Sequence, residues 1–228
     1  NTFKQAMSML YNFIDVNGKP MIQRVLDNLS IPNAQFILLA REDHIEKHSY
    51  FFDDIKDNYS AKIFSISELT QGTACTVLLA RKLISNDIPL VIANSDQIVD
   101  IDFINFIEDA SSRNLDGSIL TFKNPERNPK WSFAKLNEEN FVSEVKEKEA
   151  ISDYATVGIY YFKKGIDFIE SSIDMILSQD TVNGEYYTCP VYNYLIKNEK
   201  KIGIYNIKES QMHGIGTPED LDKYLKLN

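Results

Sequence analysis

Two cysteines, Cys75 and Cys189, are too few for a disulfide framework or a zinc cluster, and a chain of 228 residues builds a core without staples. Histidine is also scarce. His44 and His48 stand at i and i+4 without the glutamate of an H-E-x-x-H helix, so they read as solvent-facing, and His213 reads as a local loop hydrogen bond. No apolar run approaches the roughly 20 residues that cross a bilayer. The start lacks the charged, apolar and small-residue zones of a secretory signal. Positive charge is in deficit: 24 Lys and Arg against 33 Asp and Glu give a net charge of −9. Such a surface repels polyphosphate backbones and anionic lipid, which argues against nucleic-acid and membrane partners and for a reducing cytoplasm. Repeats, low-complexity segments and linkers rich in Pro, Gly and Ser are absent from the sequence, so residues 1–228 read as a single domain. The sequence opens at Asn1 without Met and without a recognisable first strand, and a first strand is therefore expected upstream.

What is present is globular: 43% hydrophobic residues, with 13 Phe and 12 Tyr. Apolar spacing predicts helices over 21–29, 43–57, 73–84 and 101–110, and buried strands over 35–40, 61–65, 89–93 and 117–122. Strand and helix alternating in this way define a parallel, doubly wound α/β sheet with helices on both faces. The second half changes character. Segments 131–136, 141–145 and 155–162 follow one another without helices, the first two joined by a hairpin turn at 137–140, and read as a small antiparallel addition. Helices over 166–177, 185–197 and 218–227 and a strand over 202–206 complete the pattern.

Ligands in open α/β sheets bind beyond the carboxyl ends of the strands. There, after the 89–93 strand, the chain reads Asn94-Ser95-Asp96-Gln97. Asp96 is placed to hold a hard cation such as magnesium, which takes oxygen ligands; a turn or helix cap explains the same residues. Leu69-Thr70-Gln71-Gly72-Thr73-Ala74 opens the 73–84 helix, and its small residues let backbone amides approach a planar ligand or a phosphate; an ordinary helix start reads the same way. Lys135, Lys146 and Lys148 either form a solvated face or supply a positive field for a phosphorylated substrate. Strand alternation sets Lys146 and Lys148 opposite Glu147. Trp131, Tyr186 and Tyr187 are core or stacking residues.

Six segments in order carry a resemblance: Asp15-Val-Asn-Gly-Lys-Pro-Met-Ile-Gln-Arg-Val25, Gln71-Gly-Thr-Ala74, Leu90-Val-Ile-Ala-Asn-Ser-Asp-Gln97, Glu147-Lys148, Ala155-Thr-Val-Gly-Ile-Tyr160 and Gly216-Thr-Pro-Glu-Asp-Leu221. Together they resemble the sugar-phosphate nucleotidyltransferases, especially the branch associated with bacterial capsular polysaccharide. The resemblance implies a Rossmann-like, GT-A-like fold. It implies an Mg2+-assisted reaction in which a phosphorylated acceptor attacks the α-phosphorus of a nucleoside triphosphate and releases pyrophosphate. Asp96 then matches the metal-binding aspartate, and Gln71, Gly72 and Thr73 match the segment that reads the base, with Asn94 and Ser95 beside it. Glu147, Lys148 and Gly158 match positions around the acceptor, and Glu185 another cleft residue; Lys135 is read as a further acceptor-side cation. CTP and UTP are favoured, thymidine remains open, the acceptor is a sugar phosphate or another phosphometabolite, and a homodimer is open.

The sequence departs from that family at charged positions. Aligned on the family, Asn1-Thr2-Phe3 falls at the end of the glycine-rich loop, with Thr2 in place of arginine. Tyr11 replaces the phosphate-binding lysine, and Gly214 stands where the second metal carboxylate belongs. Lys4, Lys19 or an upstream segment is expected to compensate, Lys19 being the cation assigned a catalytic part. The alternatives are a nucleotide-sugar-dependent glycosyltransferase, which normally needs two closely spaced carboxylates, and a non-catalytic nucleotide-binding partner subunit.

Overall fold

A computed structural model describes residues 3–9, as backbone, and residues 14–227. Thr2 and Tyr11, and the side chain of Lys4, lie outside the described residues. The strands in chain order are β1 (Phe3–Met9), β2 (Asp15–Val16), β3 (Lys19–Pro20), β4 (Ala34–Arg41), β5 (Lys62–Ile66), β6 (Leu90–Asn94), β7 (Gln97–Val99), β8 (Gly117–Lys123), β9 (Phe133–Leu136), β10 (Val142–Lys146), β11 (Tyr154–Phe162), β12 (Ile202–Ile207) and β13 (Met212–Gly214). Helices are α1 (Met21–Leu29), α2 (Glu42–Lys47), α3 (Ser49–Tyr59), α4 (Thr73–Leu78), α5 (Arg81–Ile84), α6 (Phe103–Ser112), α7 (Gly165–Leu177), α8 (Val191–Lys197) and α9 (Pro218–Leu225).

The main sheet runs β10-β9-β11-β6-β1-β4-β5, with β8 pairing β11 and β12 off that path. Its first half is parallel, β1 lying between β4 and β6. From β6 outward the direction reverses, since β11 is antiparallel to both β6 and β8. This is the α/β sheet with an antiparallel extension that the sequence pattern describes, in the Rossmann-like form that the resemblance implies. One expectation needs correction: residues 3–9, given no strand from the sequence, occupy the centre of the parallel sheet.

Both faces of the sheet are covered, which is why its strands read as unbroken apolar runs rather than as alternations. Leu38, Val91, Leu120 and Phe122 pack on one side with Ile22, Val25 and Leu26 of α1 and Phe103 and Phe106 of α6. Ile37, Leu39, Ile92 and Phe162 pack on the other with Ala74 and Val77 of α4, Phe168 of α7 and Tyr192 of α8. Helix α1 shows the logic: Met21, Ile22, Val25, Leu26 and Leu29 are all buried at three- and four-residue spacing, each worth roughly 1.5–3 kcal/mol on burial.

Three expected helices differ. The 43–57 helix breaks at His48, whose φ and ψ of −125° and 36° are not helical, and both His44 and His48 are half-buried rather than solvent-facing. The 73–84 helix breaks at Ala80. Only Val191–Lys197 of the 185–197 segment is helical. Upstream of it, the Tyr186 amide donates to Gln71 O (2.9 Å) and the Tyr186 carbonyl accepts from Ala74 N (3.0 Å), an extended pairing that helix formation would forfeit.

Candidate active site

Where β6 ends, the chain makes a two-residue turn at Ser95 and Asp96 and returns as β7, which pairs antiparallel with β13. Asp96 therefore occupies a tight strand-to-strand turn and caps no helix. Neither three-residue strand is long enough to show an alternation, so their pairing left no trace in the sequence pattern. The pairing brings the carboxy-terminal segment onto the turn: Ile215 N donates to Asp96 O at 2.8 Å, and Gly216 lies directly against the Asp96 carboxylate.

A cavity of about 510 Å3 opens at this turn. Thr73, Asn94, Ser95 and Asp96 line it from the parallel half, and Glu147 and Gly158 from the antiparallel half. The resemblance scattered these residues over 86 positions of chain, and the reversal of direction at β6 and β11 gathers them. Gly158 makes the close approach feasible. Its φ is +91°, and a Cβ there would lie 2.9 Å from Gln97 Oε1 and 3.0 Å from Asn94 Cγ. The register of β11 against β8 shifts around it, as a bulge does.

Burial raises the Asp96 carboxyl above its ordinary value, and among the described residues no cation pairs with it. Glu147 is raised too, mainly by burial; the Ser132 hydroxyl donates to its Oε2 and pulls the other way. Cys189 is 1% exposed at the cavity wall, and burial, then the Glu147 charge, push its thiol well up. Tyr160 shares this corner and hydrogen-bonds Thr156 at 3.1 Å. Buried Gln97 has an Oε1 with no hydrogen-bond partner among the described residues.

Gln71, Gly72, Lys148 and Glu185 are not among the lining residues and stand at the margin. Gln71 donates from Nε2 to Gly184 O at 3.1 Å, and Gly72 (φ +107°) abuts the Tyr186 backbone, 2.6 Å from where its Cβ would be to Tyr186 N. Thr73 Oγ1 accepts from the amide and the hydroxyl of Thr188, both at 3.0 Å. Lys148 donates to the Tyr187 hydroxyl at 2.8 Å, and that hydroxyl donates to Glu185, so the three form one chain at the rim. The Tyr187 hydroxyl raises the Lys148 ammonium, and Glu185 raises the Tyr187 phenol.

Two expectations are corrected. Lys19 does not line the cavity; its ammonium pairs with Asp27 on α1. Lys135 lies exposed on β9 and borders a separate cleft with Lys123 and Arg127, because alternation along β9 turns it away from the side that Ser132 faces. Residues the sequence reading passed over as site residues include Lys130, Ser132, Thr188 and Cys189. Alternation from Glu147 signalled nothing about them, since all lie outside its strand segment.

A cavity beyond the carboxyl end of a parallel strand, as at β6, is where open α/β sheets bind their ligands. The profile of the nucleotidyl transferase family matches residues 7–205, and the chain belongs to this family of enzymes. The crystal structure of a nucleoside-diphosphate-sugar pyrophosphorylase from Vibrio cholerae RC9 is similar over 99% of this chain and 100% of its own, with a TM-score of 0.80 and 20% identity. A chain from Bacillus anthracis, provisionally assigned as a glucose-1-phosphate thymidylyltransferase and solved with a sucrose, is similar over 99% of this chain and 95% of its own (TM-score 0.76, 17% identity). At these identities the likeness is one of fold. No helix among the described residues is long and apolar enough to cross a membrane.

Proposed function

We propose that the protein joins a nucleoside triphosphate to a phosphorylated acceptor and releases pyrophosphate. An acceptor phosphate oxygen forms a bond to the α-phosphorus while the bond to the β-phosphate bridge breaks in line. The observation that carries this reading is the shared cavity, which sets Asp96 and the 94–97 turn at one wall and Glu147 with Gly158 at another. Phosphoryl transfer asks chiefly for such positioning and for neutralised charge, not for a side-chain nucleophile.

Among the described residues no group of three or more His, Cys, Asp or Glu can hold a metal. Mg2+ nevertheless fits Asp96, because this ion commonly keeps waters and binds through one or two carboxylates plus substrate phosphates. When bound it would offset the charge that builds on the transferring group. Thr73, Asn94 and Ser95 would receive the nucleotide, with Gln71 and Gly72 shaping the wall that residues 184–188 close. The favoured nucleotides remain the pyrimidine triphosphates CTP and UTP. Glu147 would accept hydroxyl hydrogens of the acceptor, with the Lys148-Tyr187-Glu185 chain at its rim. The names of the two similar structures favour a sugar phosphate as acceptor, and the resemblance favours surface polysaccharide synthesis in the cytoplasm.

The test is to incubate purified protein with Mg2+, each nucleoside triphosphate and a panel of phosphorylated metabolites, and to measure pyrophosphate. Release with CTP or UTP is expected, abolished in Asp96→Ala with its circular dichroism unchanged. Turnover of a nucleoside-diphosphate sugar without pyrophosphate, or full activity in Asp96→Ala, would overturn the reading.

A further inference from the structure

The cavity has a charge problem. A triphosphate and a phosphorylated acceptor are both polyanions, yet the ionisable groups at its described walls include two carboxylates, Asp96 and Glu147. Against them stands a single basic side chain among the described lining residues, Lys130. Two other cations are paired with carboxylates, Lys19 with Asp27 and Lys146 with Glu144 at 3.8 Å, and Lys148, held by the hydroxyl and ring of Tyr187, is not among the lining residues.

Lys130 is held without being neutralised. Its ammonium stands 4.7 Å from the centroid of the Trp131 ring, and no carboxylate of the described residues pairs with it. The indole is itself fixed, meeting the ring of fully buried Phe122 edge-on at 5.3 Å and 84°. The turn beneath is tied by its own side chains: Asn128 N donates to Asn124 Oδ1 (2.8 Å), and Lys130 N donates to Asn128 Oδ1 (3.1 Å). Two residues beyond Lys130, Ser132 donates to Glu147, so this turn borders the Glu147 end of the cavity rather than the far wall. An ammonium over a π face keeps its full charge, and it leaves the ring readily for a phosphate oxygen, the stronger partner.

We propose that Lys130, parked on Trp131, is the cation that receives the phosphate group of the acceptor at the Glu147 end of the cavity. The identity of the ligand as an acceptor rests on the nucleotidyl-transfer reading; the anion site itself does not.

Trp131 is the protein's sole tryptophan, so its fluorescence reports on the ammonium above it. The experiment titrates the purified protein with inorganic phosphate, at constant ionic strength against chloride. A saturable change in tryptophan emission is expected in the wild type. Lys130→Met should weaken phosphate binding about tenfold or more, as loss of one charge-assisted hydrogen bond predicts, and Lys130→Arg should retain it. Thermal melts of both variants separate lost binding from lost folding. A wild type that does not respond, an equal response in Lys130→Met, or a response that chloride reproduces would overturn the site. A phosphate response that depends on Lys130 in a protein that releases no pyrophosphate would overturn the functional reading and leave the anion site standing.

Discussion

Gly216 and Asp96 touch across the ends of the chain's two halves: a Cβ added to Gly216 would lie 2.9 Å from Cγ of Asp96 and closer still to its Oδ2. No side chain fits there unless the carboxylate turns away. Because the backbone at Gly216 is not left-handed, alanine is sterically possible for the chain and harmful only to Asp96. Gly216→Ala should therefore fold, with a melting temperature near that of the wild type, while pyrophosphate release falls about 100-fold, the usual cost of misplacing a positioned group by about 1 Å. Unchanged turnover would mean that Asp96 orientation does not matter.

Gly158 makes a harsher prediction. Alanine there meets a left-handed φ of +91° as well as Asn94 and Gln97. Strain of this kind costs about 1–3 kcal/mol before the clash is counted. Gly158→Ala should lower stability by at least that much in urea unfolding, and lower activity further than the lost stability explains.

Asp96 ties stability to pH. Its folded carboxyl is raised above the ordinary 3.8 by burial, so between the unfolded and folded values the native state binds more protons than the unfolded one. Its contribution to stability is then greatest below 3.8 and is lost as pH rises through the folded value. Asp96→Asn removes the buried charge. In thermal melts without divalent ions the variant should exceed the wild type at neutral pH, and the difference should close as pH falls toward 3.8. A constant gap, or one that widens in acid, would contradict this assignment.

Gln97 carries a buried Oε1 at the cavity wall that no described residue pairs with. Replacing an unpartnered polar group with an apolar one of similar shape is close to neutral or stabilising. Gln97→Leu should accordingly keep or raise the melting temperature while raising KM for a substrate that donates a hydrogen bond there. A clear loss of stability would show that the amide is partnered in solution.

Much of the architecture was legible from residue spacing. Alternation of strand and helix gave the parallel half, and the helix-free run through 155–162 gave the antiparallel one. The pairing of β7 with β13 escaped because three-residue strands carry no period. The helix expected over 185–197 failed in its first half because Tyr186 and Thr188 spend backbone groups on the 71–74 loop and Glu185 spends its own on Val182, a demand that the apolar spacing does not encode. The same limit applies to the site. Asp96 was visible because a polar cluster interrupts a buried run, whereas Lys130 looked like any surface lysine until Trp131 and the cavity wall stood beside it. Lys135 looked the better candidate from its place on a strand, yet one step of alternation sends it to another cleft.

The antiparallel seam between β6 and β11, in register from Ile159 opposite Ala93 to Phe162 opposite Leu90, has a temporal meaning. One wall of the cavity is synthesised dozens of residues before the opposite one, and neither wall encloses anything alone. A ribosome-bound chain halted before residue 154 would already own the parallel strands β1, β4, β5 and β6 but no place for a ligand to dwell. Capture of small molecules thus begins only after a long-range zipper closes, making occupancy a signature of completed folding.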